Sequence, residues 1–273
     1  MCQEIIGINI INLQEEINIM YYNEYKKDIY SQNGEDGVLK KIINELGLQV
    51  DSMWLVDVGA YDGISYSNFR NLIEQGANAV LIEPCLVAGL VGGTCEEKYL
   101  KLKDLPKQFP KVKTLNHFTK IQDEENEWWA RDSFDYCKML HEQCGNYDFN
   151  PPQKTLDESL LEIENLPSDY DILNIDIDSY DHDVWIEHKL NPKIVIVEVN
   201  SGLFPETIKK QKQEGGYSYS DSLTVGNKKG YSCVCHTGNM IYVRNDLVKK
   251  LSIPINLINS LKLFDRKWVN GNI

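Results

Sequence analysis

The sequence predicts an α/β protein built on a mostly parallel sheet with helices on both faces. Three observations predict it. Short apolar runs recur along the chain, segments with helical spacing separate most of them, and a tight turn joins the last two runs. A short, continuously apolar strand is buried on both sides, as in a parallel sheet covered by helices. The final pair of runs is a hairpin, which adds one antiparallel edge strand.

Each element follows from a local pattern. Strands are predicted for the seven apolar runs at residues 53–58, 79–82, 112–118, 172–177, 194–199, 231–235 and 240–244. A helix is predicted at residues 38–46, where apolar residues recur at helical spacing. Further helices are predicted at residues 65–75, 94–105, 121–144, 156–166, 184–189 and 222–228. Gly47, Gly76 and Pro167 end three of these helices. The result is a Rossmann-like fold with a seven-stranded sheet.

The size and composition fit this class. The chain has 273 residues, of which 42% are hydrophobic and 25% are charged, as in ordinary globular proteins. We expect one domain over residues 31–273, preceded by an N-terminal extension over residues 1–30. No run of about 18 uncharged apolar residues occurs, so no transmembrane helix is predicted. The Ile-rich start lacks a basic region and contains Glu15 and Glu16, which argues against a signal peptide.

The charge and the cysteines restrict the partners and the compartment. A net charge of −13 disfavours general binding to nucleic acid or to anionic membranes. The seven cysteines are scattered, in a chain long enough to need no disulfides. We therefore expect a cytoplasmic protein with free thiols that acts on a small molecule. Assembly into a homo-oligomer is left open.

The first candidate binding feature follows the first strand. In residues 57–63 (DVGAYDG), Gly59 allows a tight turn and a close approach of ligand to backbone. The helix beyond it offers free N–H groups to an anion such as a carboxylate. Glu83 ends the second strand, where an acid accepts hydrogen bonds from ribose hydroxyls. Together they indicate an adenosine-type cofactor; the alternative interpretation is an ordinary turn with a solvated Glu83.

Two cofactors suit such a site, a nicotinamide dinucleotide and S-adenosylmethionine. The turn lacks the third glycine of the dinucleotide pattern, and Asp62 would repel a diphosphate. An acid is better tolerated beside a ligand that carries an amine and a sulfonium. The sequence therefore favours S-adenosylmethionine, with a nicotinamide-dependent oxidoreductase as one alternative. A non-catalytic module that binds a glycan or a partner protein on the same fold is the other.

Several motifs in this order and spacing resemble the FkbM-type methyltransferases. The matching segments cover residues 31 to about 247 and are residues 31–37 (SQNGEDG), 56–63 (VDVGAYDG), 67–68 (SN), 82–84 (IEP), 174–178 (NIDID), 196–200 (IVEVN), 229–231 (KGY) and 239–244 (NMIYVR). The resemblance implies a class I methyltransferase fold, S-adenosylmethionine as the donor, and in many members a hydroxyl of a sugar or small metabolite as the acceptor.

The resemblance also assigns cofactor-binding residues. It places Asp57, Gly59 and Glu83 in the donor site, and it extends the assignment to Gln32, Gly34, Glu35 and Asp36 of the upstream motif. We add Tyr61 and Asp62 of the glycine turn and Asn116, which lies in the third strand, to the same site. The family often has Asn near the position of Asp62. The glycine-rich residues 89–93 and the Trp128–Trp129 segment are further departures from its short members.

Acidic residues follow the fourth and fifth strands. Asp176 and Asp178 end one strand, and Glu198 and Asn200 end the next. Since the carboxyl ends of neighbouring parallel strands meet at one edge of the sheet, these four side chains should converge. Oxygen ligands in this number suit Mg²⁺ or another hard divalent cation, which could hold the hydroxyls of an acceptor. The alternative is that the acids cap helices and face the sulfonium without a metal.

The catalytic residues predicted from this arrangement are Asp176, Asp178 and His182. Under the metal scheme the two aspartates bind the cation that activates the acceptor hydroxyl. Under the other scheme His182 is the general base, because a histidine titrates near the working pH. The alternative for His182 is a surface or helix-capping residue.

Two further clusters lie in the predicted helix at residues 121–144. Cys137, His141 and Cys144 share a helix face and could bind zinc together with Cys95 or with Cys233 and Cys235; a buried apolar face is the alternative. Trp128, Trp129, Tyr136 and Tyr147 could form an aromatic lid over a sugar, or else an interface or local core. Because the insertion at residues 121–150 emerges near the carboxyl edge, where α/β sheets bind ligands, a lid or substrate-binding role is favoured.

Overall fold

The structure is a computed structural model that describes residues 22–84, 95–122, 127–143, 150–208 and 216–269. Its strands are β1 (Trp54–Val58), β2 (Asn78–Ile82), β3 (Val112–Leu115), β4 (Phe118–Thr119), β5 (Gln153–Lys154), β6 (Ile172–Ile175), β7 (Ile194–Glu198), β8 (Tyr231–His236) and β9 (Asn239–Arg244). Its α-helices are α1 (Glu35–Leu46), α2 (Arg70–Glu74), α3 (Cys95–Gln108), α4 (Glu127–Gln143), α5 (Leu156–Leu160), α6 (Asp181–Glu187) and α7 (Tyr219–Lys229).

Seven strands form one sheet in the order β3-β2-β1-β6-β7-β9-β8. The first five in this order are parallel, and β9 pairs antiparallel with both β7 and β8. The antiparallel strand thus lies one place inside the edge that β8 forms. The predicted fold class, a mostly parallel seven-stranded Rossmann-like sheet with antiparallel pairing at one edge, is confirmed.

The strands are buried because they are apolar on both sides. In β6 all four residues are buried, and in β1 and β2 all but the first residue are buried. The order reverses at β1, which has β2 on one side and β6 on the other. Val58 pairs with both Ile82 and Ile175, so these three strands end at the same level. Such a reversal opens a crevice at the carboxyl ends, where α/β sheets bind ligands.

The glycine turn is followed by a longer irregular loop than the sequence predicted. The predicted helix at residues 65–75 is reduced to α2 (Arg70–Glu74). Asp62 accepts the backbone N–H groups of Ile64 and Ser65, and the Ser67 hydroxyl accepts that of Arg70. These side chains accept backbone N–H groups that would otherwise donate within a helix. Short polar residues favour turns for this reason.

Two other predictions differ in extent. The helix predicted at residues 156–166 starts at a capping box formed by Thr155 and Glu158 but ends at Leu160, and Asn165 adopts a left-handed backbone with φ +63°. The strand predicted at residues 112–118 divides into β3 and β4, and β4 pairs with β5 in a second, two-stranded sheet. A strand of two residues is too short to show an alternating pattern in the sequence.

The chain before α1 packs on the domain where it is described. Tyr22 is buried and donates a hydrogen bond to Glu45 of α1. The first 21 residues, including the apolar segment at residues 5–13, lie outside the described part, so the division into an extension and a domain stays a prediction. Among the described residues, no helix has the length and apolar character needed to cross a membrane.

Candidate functional site

The crevice at the carboxyl ends of β1, β2 and β6 is closed on one side by the turn after β1. Gly59 has a φ of +86°, and a Cβ atom there would lie 1.8 Å from the backbone oxygen of Asp176. The N–H groups of Gly59 and Ala60 both donate to the carbonyl of Ile82. Only glycine fits this close crossing of three chain segments. The predicted tight turn is present, and its backbone is fixed to β2 and next to β6.

Glu83 lies opposite this turn. Its Oε2 accepts the N–H of Tyr61 at 2.8 Å, and its side chain is buried. Tyr61 itself has a φ of +53°, a left-handed conformation that few non-glycine residues adopt. The turn and the acid after β2 are thus joined by one hydrogen bond. This arrangement places a carboxylate within the crevice, at the position from which an acid can bind ribose hydroxyls.

Asp57 is buried beside the crevice and is held by a chain of amides. Asn174 donates to its Oδ1 at 2.8 Å, and Asn68 in turn donates to the amide oxygen of Asn174 at 3.0 Å. Burial raises the pKa of Asp57 to about 6, and the hydrogen bond from Asn174 limits the rise. The sequence did not assign this supporting role to Asn174, although a polar residue within the apolar strand β6 is a signal of it.

Asp62 has its contacts within its own loop. Its two oxygens accept hydrogen bonds from the N–H groups of Ile64 and Ser65 and from the Ser65 hydroxyl, and the Lys101 ammonium lies 3.7 Å away. These contacts show that the carboxylate shapes the loop. They also offset its charge, which weakens the sequence-based argument that Asp62 repels a diphosphate.

The upstream motif divides into two parts. Asp36 is buried, and its Oδ2 accepts from the N–H groups of Ile29, Tyr30 and Ser31 and from the Ser31 hydroxyl, so it holds the preceding loop. Gly34 has a φ of +94° and touches Lys26, where a Cβ atom would collide. The geometry gives both residues structural contacts.

Glu35 connects the motif to the sheet. It is fully buried, accepts the N–H of Asn33 at 3.0 Å and contacts the amide of Asn239 at 3.5 Å, next to the β8–β9 turn. Burial raises the pKa of Glu35. Its negative charge in turn contributes to raising the pKa of Asp176, so this part of the motif borders the crevice. Gln32 and Asn116 are exposed, and their assignment to the donor site stays a prediction.

Three carboxylates converge after β6 and β7, and we call Asp176, Asp178 and Glu198 the acidic rim. One oxygen of each lies within 4.8 Å of the other two. Ligand oxygens on opposite sides of one divalent cation are about 4 to 5 Å apart, so the spacing suits a single cation. Within the described residues, none of the three side chains has a hydrogen bond or an ion pair. The predicted convergence of these residues is therefore seen in the structure.

Burial and the charges of neighbouring carboxylates raise the pKa values of two members of the rim, Asp176 and Glu198. The pKa of Asp176 rises to about 8 and that of Glu198 to about 9, in both cases first through burial and then through neighbouring carboxylates. Asp181 supports the turn that carries Asp178 by accepting the N–H groups of Ile177 and Ser179. A bound cation would relieve the repulsion that these shifts report.

Asn200 and His182, also predicted for this site, both make hydrogen bonds within the described part of the protein, unlike the rim side chains. Asn200 is half-buried, and its N–H donates to the carbonyl of Tyr217; its role as a fourth ligand stays a prediction. His182 is 1% exposed, its Nε2 lies 2.6 Å from the Ser222 hydroxyl, and its ring stacks on Tyr217. Burial lowers the pKa of His182 to about 3. A buried imidazole of such low basicity does not support the general-base role.

Helix α4 covers the acidic side of the crevice. Its buried face carries Ala130, Phe134 and Cys137, and Phe134 packs edge-on against Phe118 with ring centroids 5.1 Å apart. The Ser133 hydroxyl lies 3.4 Å from that of Ser179, next to Asp178. Burial raises the pKa of Cys137 to about 12, and the charges of Glu83 and Asp178 contribute. Cys137 is therefore close enough to Glu83 and to Asp178 of the rim for their charges to affect its pKa.

The other predictions for this insertion are partly outside the described residues. Cys144, Tyr147 and the side chains of Cys95, Trp128, Trp129 and His141 are not described. Cys137, Cys233 and Cys235 are buried free thiols. In the part of the chain that the structure describes, no His or Cys belongs to a group with metal-ligand spacing. The aromatic lid stays a prediction, and its one described member, Tyr136, is 55% exposed.

The fold and the site define a Rossmann-like protein with a polar, acidic crevice at its topological switch point. No protein-family model and no curated protein match the chain. Solved structures to which it is similar include a precorrin-6y C5,15-methyltransferase from Geobacter metallireducens GS-15, at 13% identity and a TM-score of 0.38, over 81% of this chain and 94% of that one.

Two more solved structures are similar at this level. A candidate hemolysin from Streptococcus thermophilus aligns at 15% identity and a TM-score of 0.35, over 81% of this chain and 69% of that one. A mitomycin 7-O-methyltransferase aligns at 12% identity and a TM-score of 0.32, over 76% and 54%. These are likenesses of fold, and the function of this chain rests on its own site.

Proposed function

We propose that this protein is an S-adenosylmethionine-dependent O-methyltransferase of the FkbM type. Its acceptor is a hydroxyl of a small molecule, in our proposal a sugar or a nucleotide sugar. One observation carries the proposal: the glycine turn with Glu83 and the acidic rim lie at the same edge of one sheet, beside the reversal of strand order. A donor and an acceptor bound there would be neighbours, and proximity and alignment supply much of the rate in such transfers.

The donor side is formed by β1 and β2. Glu83 would accept the ribose hydroxyls, and the turn at Gly59 would let the backbone approach the ligand closely. S-adenosylmethionine carries a sulfonium and an ammonium. The carboxylates around the crevice, among them Asp57 and Glu35, favour such a ligand by opposite charge.

The acceptor side is formed by the acidic rim under α4. Asp176, Asp178 and Glu198 fit a hard divalent cation, because they offer three oxygen donors at suitable spacing and have no protein donors among the described residues. When bound there, such a cation lowers the pKa of a hydroxyl that coordinates it. The rim would hold the cation and orient it toward the donor, and α4 would exclude water. We prefer this scheme to one with His182 as the base.

Donor binding is tested by calorimetry with S-adenosylhomocysteine on Glu83→Gln, with Glu164→Gln as a matched exposed control. Wild type and control should bind at micromolar levels. Glu83→Gln should bind about 10- to 100-fold more weakly, because it loses charged hydrogen bonds of roughly 1.5 to 3 kcal/mol. A protein that binds NAD and not S-adenosylhomocysteine would instead be an oxidoreductase, and one that binds neither would be a non-catalytic module.

Turnover is tested by mass spectrometry of a panel of nucleotide sugars incubated with the donor, to detect the gain of one methyl group. Chelation with EDTA should abolish the product, and Mg²⁺ or Mn²⁺ should restore it. Asp176→Asn should be inactive while it still binds S-adenosylhomocysteine. Full activity of wild type in excess chelator would refute the role of the cation. The cytoplasmic location stays a prediction, and the oligomeric state stays open.

A further inference from the structure

A second cavity lies at the opposite edge of the sheet from the candidate site. Its volume is about 560 Å³. Ser168 precedes β6 and Lys189 precedes β7, so the cavity opens at the amino ends of these strands, between α5 and α6. We call it the amino-edge pocket. Pockets of roughly 300 to 1,000 Å³ are typical of small-molecule sites.

Most of the wall of this pocket is aliphatic. The lining side chains that carry this character are Leu156, Leu160, Leu161, Ile163, Leu166 and Leu190. Leu161 is 86% exposed, which leaves a large apolar side chain uncovered at the pocket. Such a wall favours a ligand with an apolar body, because burying apolar surface of both ligand and protein stabilises the complex.

The acidic residues of the pocket have their partners within the protein. Oε2 of Glu158 accepts the N–H of Thr155 at 2.8 Å in the capping box of α5. Both oxygens of Glu187 accept the N–H of Gln122, at 2.8 and 2.9 Å.

The third acid, Asp157, is engaged in the same way. It lies 2.5 Å from Nδ1 of the buried His188, and it accepts the N–H of Lys189 at 3.3 Å. The other ring nitrogen of His188 contacts the Tyr170 hydroxyl at 3.0 Å. All three carboxylates are thus used by the fold itself.

The two lysines of the pocket differ from the acids. Lys120 and Lys189 both line it, and within the described residues neither ammonium group has a side-chain hydrogen bond or an ion pair within 4 Å. Lys120 interacts electrostatically with Glu158, and Lys189 with Asp157, but both ammonium groups keep their hydrogen-bond donors for a ligand. We propose that the amino-edge pocket binds an organic anion with an apolar body, such as a medium-chain carboxylate. Its chain would contact the leucines, and its carboxylate would contact Lys120 and Lys189. This proposal does not depend on the proposed methyl transfer.

The test is calorimetry of the full chain with octanoate, octanol and octyltrimethylammonium as probes. Octanoate should bind wild type with a Kd of roughly 10 µM to 1 mM, the range open to a ligand of this size. Lys120→Gln/Lys189→Gln should weaken it at least about 10-fold, as expected for lost charge-assisted contacts. Lys113→Gln/Lys228→Gln removes the same charge from exposed sites outside the pocket and should bind as wild type does.

A second variant tests the cavity without removing a charge. Ser168 is exposed at the pocket, so Ser168→Trp should occupy its entrance, leave the core intact and abolish octanoate binding. The proposal is overturned if wild type does not bind octanoate at about 5 mM. It is also overturned if octanol or octyltrimethylammonium binds as tightly, or if the lysine double variant or Ser168→Trp is folded by thermal denaturation and binds as wild type does.

Discussion

Two groups of carboxylates at the candidate site differ in what the surrounding chain provides for them. Asp36 and Asp62, which we call the loop carboxylates, accept four and three hydrogen bonds from their own loops. The acidic rim accepts none from the described residues, and the charge of Asp178 contributes to raising the pKa values of Asp176 and Glu198. A carboxylate with donors stabilises the fold, whereas grouped carboxylates without donors destabilise it. Folding therefore accounts for the loop carboxylates, whereas the rim fits the cation that we propose for it.

The largest effect is expected when a loop carboxylate is removed. Asp36→Ala leaves the N–H groups of Ile29, Tyr30 and Ser31 without the buried carboxylate that accepts them. Each unsatisfied buried donor costs about 1 to 3 kcal/mol, and the loop will relax in part, so we expect a loss of about 3 kcal/mol in the free energy of unfolding. Urea denaturation measures it. A loss below about 1 kcal/mol would mean that Asp36 does not hold the loop.

Asp57 lies between the two groups, because it is buried and accepts one hydrogen bond, from Asn174. Its pKa in the folded protein, about 6, is above the ordinary value, so the native state binds more protons than the unfolded chain between about pH 4 and 6. Its contribution to stability is therefore lost as the pH rises through this window, by roughly 3 kcal/mol in all.

Asp57→Asn should remove this contribution and keep the contact with Asn174. Urea denaturation gives the free energy of unfolding of both proteins at pH 4 and at pH 7. The value of the variant minus that of wild type should be larger at pH 7 than at pH 4. An equal difference at both pH values would show that Asp57 does not titrate in this window.

The next effect concerns the rim. If Asp176, Asp178 and Glu198 bind a cation only in the folded state, Mn²⁺ at 100 times its Kd should stabilise wild type by about 2.7 kcal/mol. Asp176→Asn removes one rim ligand and should lose most of this gain, whereas Asp62→Asn should retain it. Thermal denaturation with Mn²⁺ and with EDTA measures both. Equal stabilisation of wild type and Asp176→Asn would place the ion elsewhere.

The fold could be predicted further from sequence than the site could. The seven strands of the main sheet and the glycine turn could be predicted because each depends on a short stretch of sequence, an apolar run or Gly59. The convergence of Asp176 with Glu198 could also be predicted, because it follows from parallel neighbours. The burial of His182 could not, because it depends on Ser222 and Tyr217, which are distant in sequence.

The roles of Asp36 and Asp62 show a second limit. Both belong to motifs that the sequence connects with a cofactor, yet both point into loops of their own chain. Short polar residues in turns bind local backbone as readily as ligands, and only coordinates separate the two. Glu35, one position before Asp36, instead contacts the amide of Asn239 at the β8–β9 turn.

The smallest effect is expected for the ion pair that reaches a loop carboxylate from outside. The Lys101 ammonium lies 3.7 Å from Asp62, but its side chain is 54% exposed, and exposed pairs contribute about 0 to 1 kcal/mol. Asp62 keeps its three hydrogen bonds from Ile64 and Ser65 without Lys101. Lys101→Met should therefore cost less than about 0.5 kcal/mol in urea denaturation. Asp62→Ala should cost about 2 kcal/mol by the same measurement. If Lys101→Met cost as much as Asp62→Ala, the stabilisation by the Asp62 carboxylate would depend on the Lys101 ammonium and not on the hydrogen bonds of its own loop. The loop carboxylates and the acidic rim would then differ in degree only.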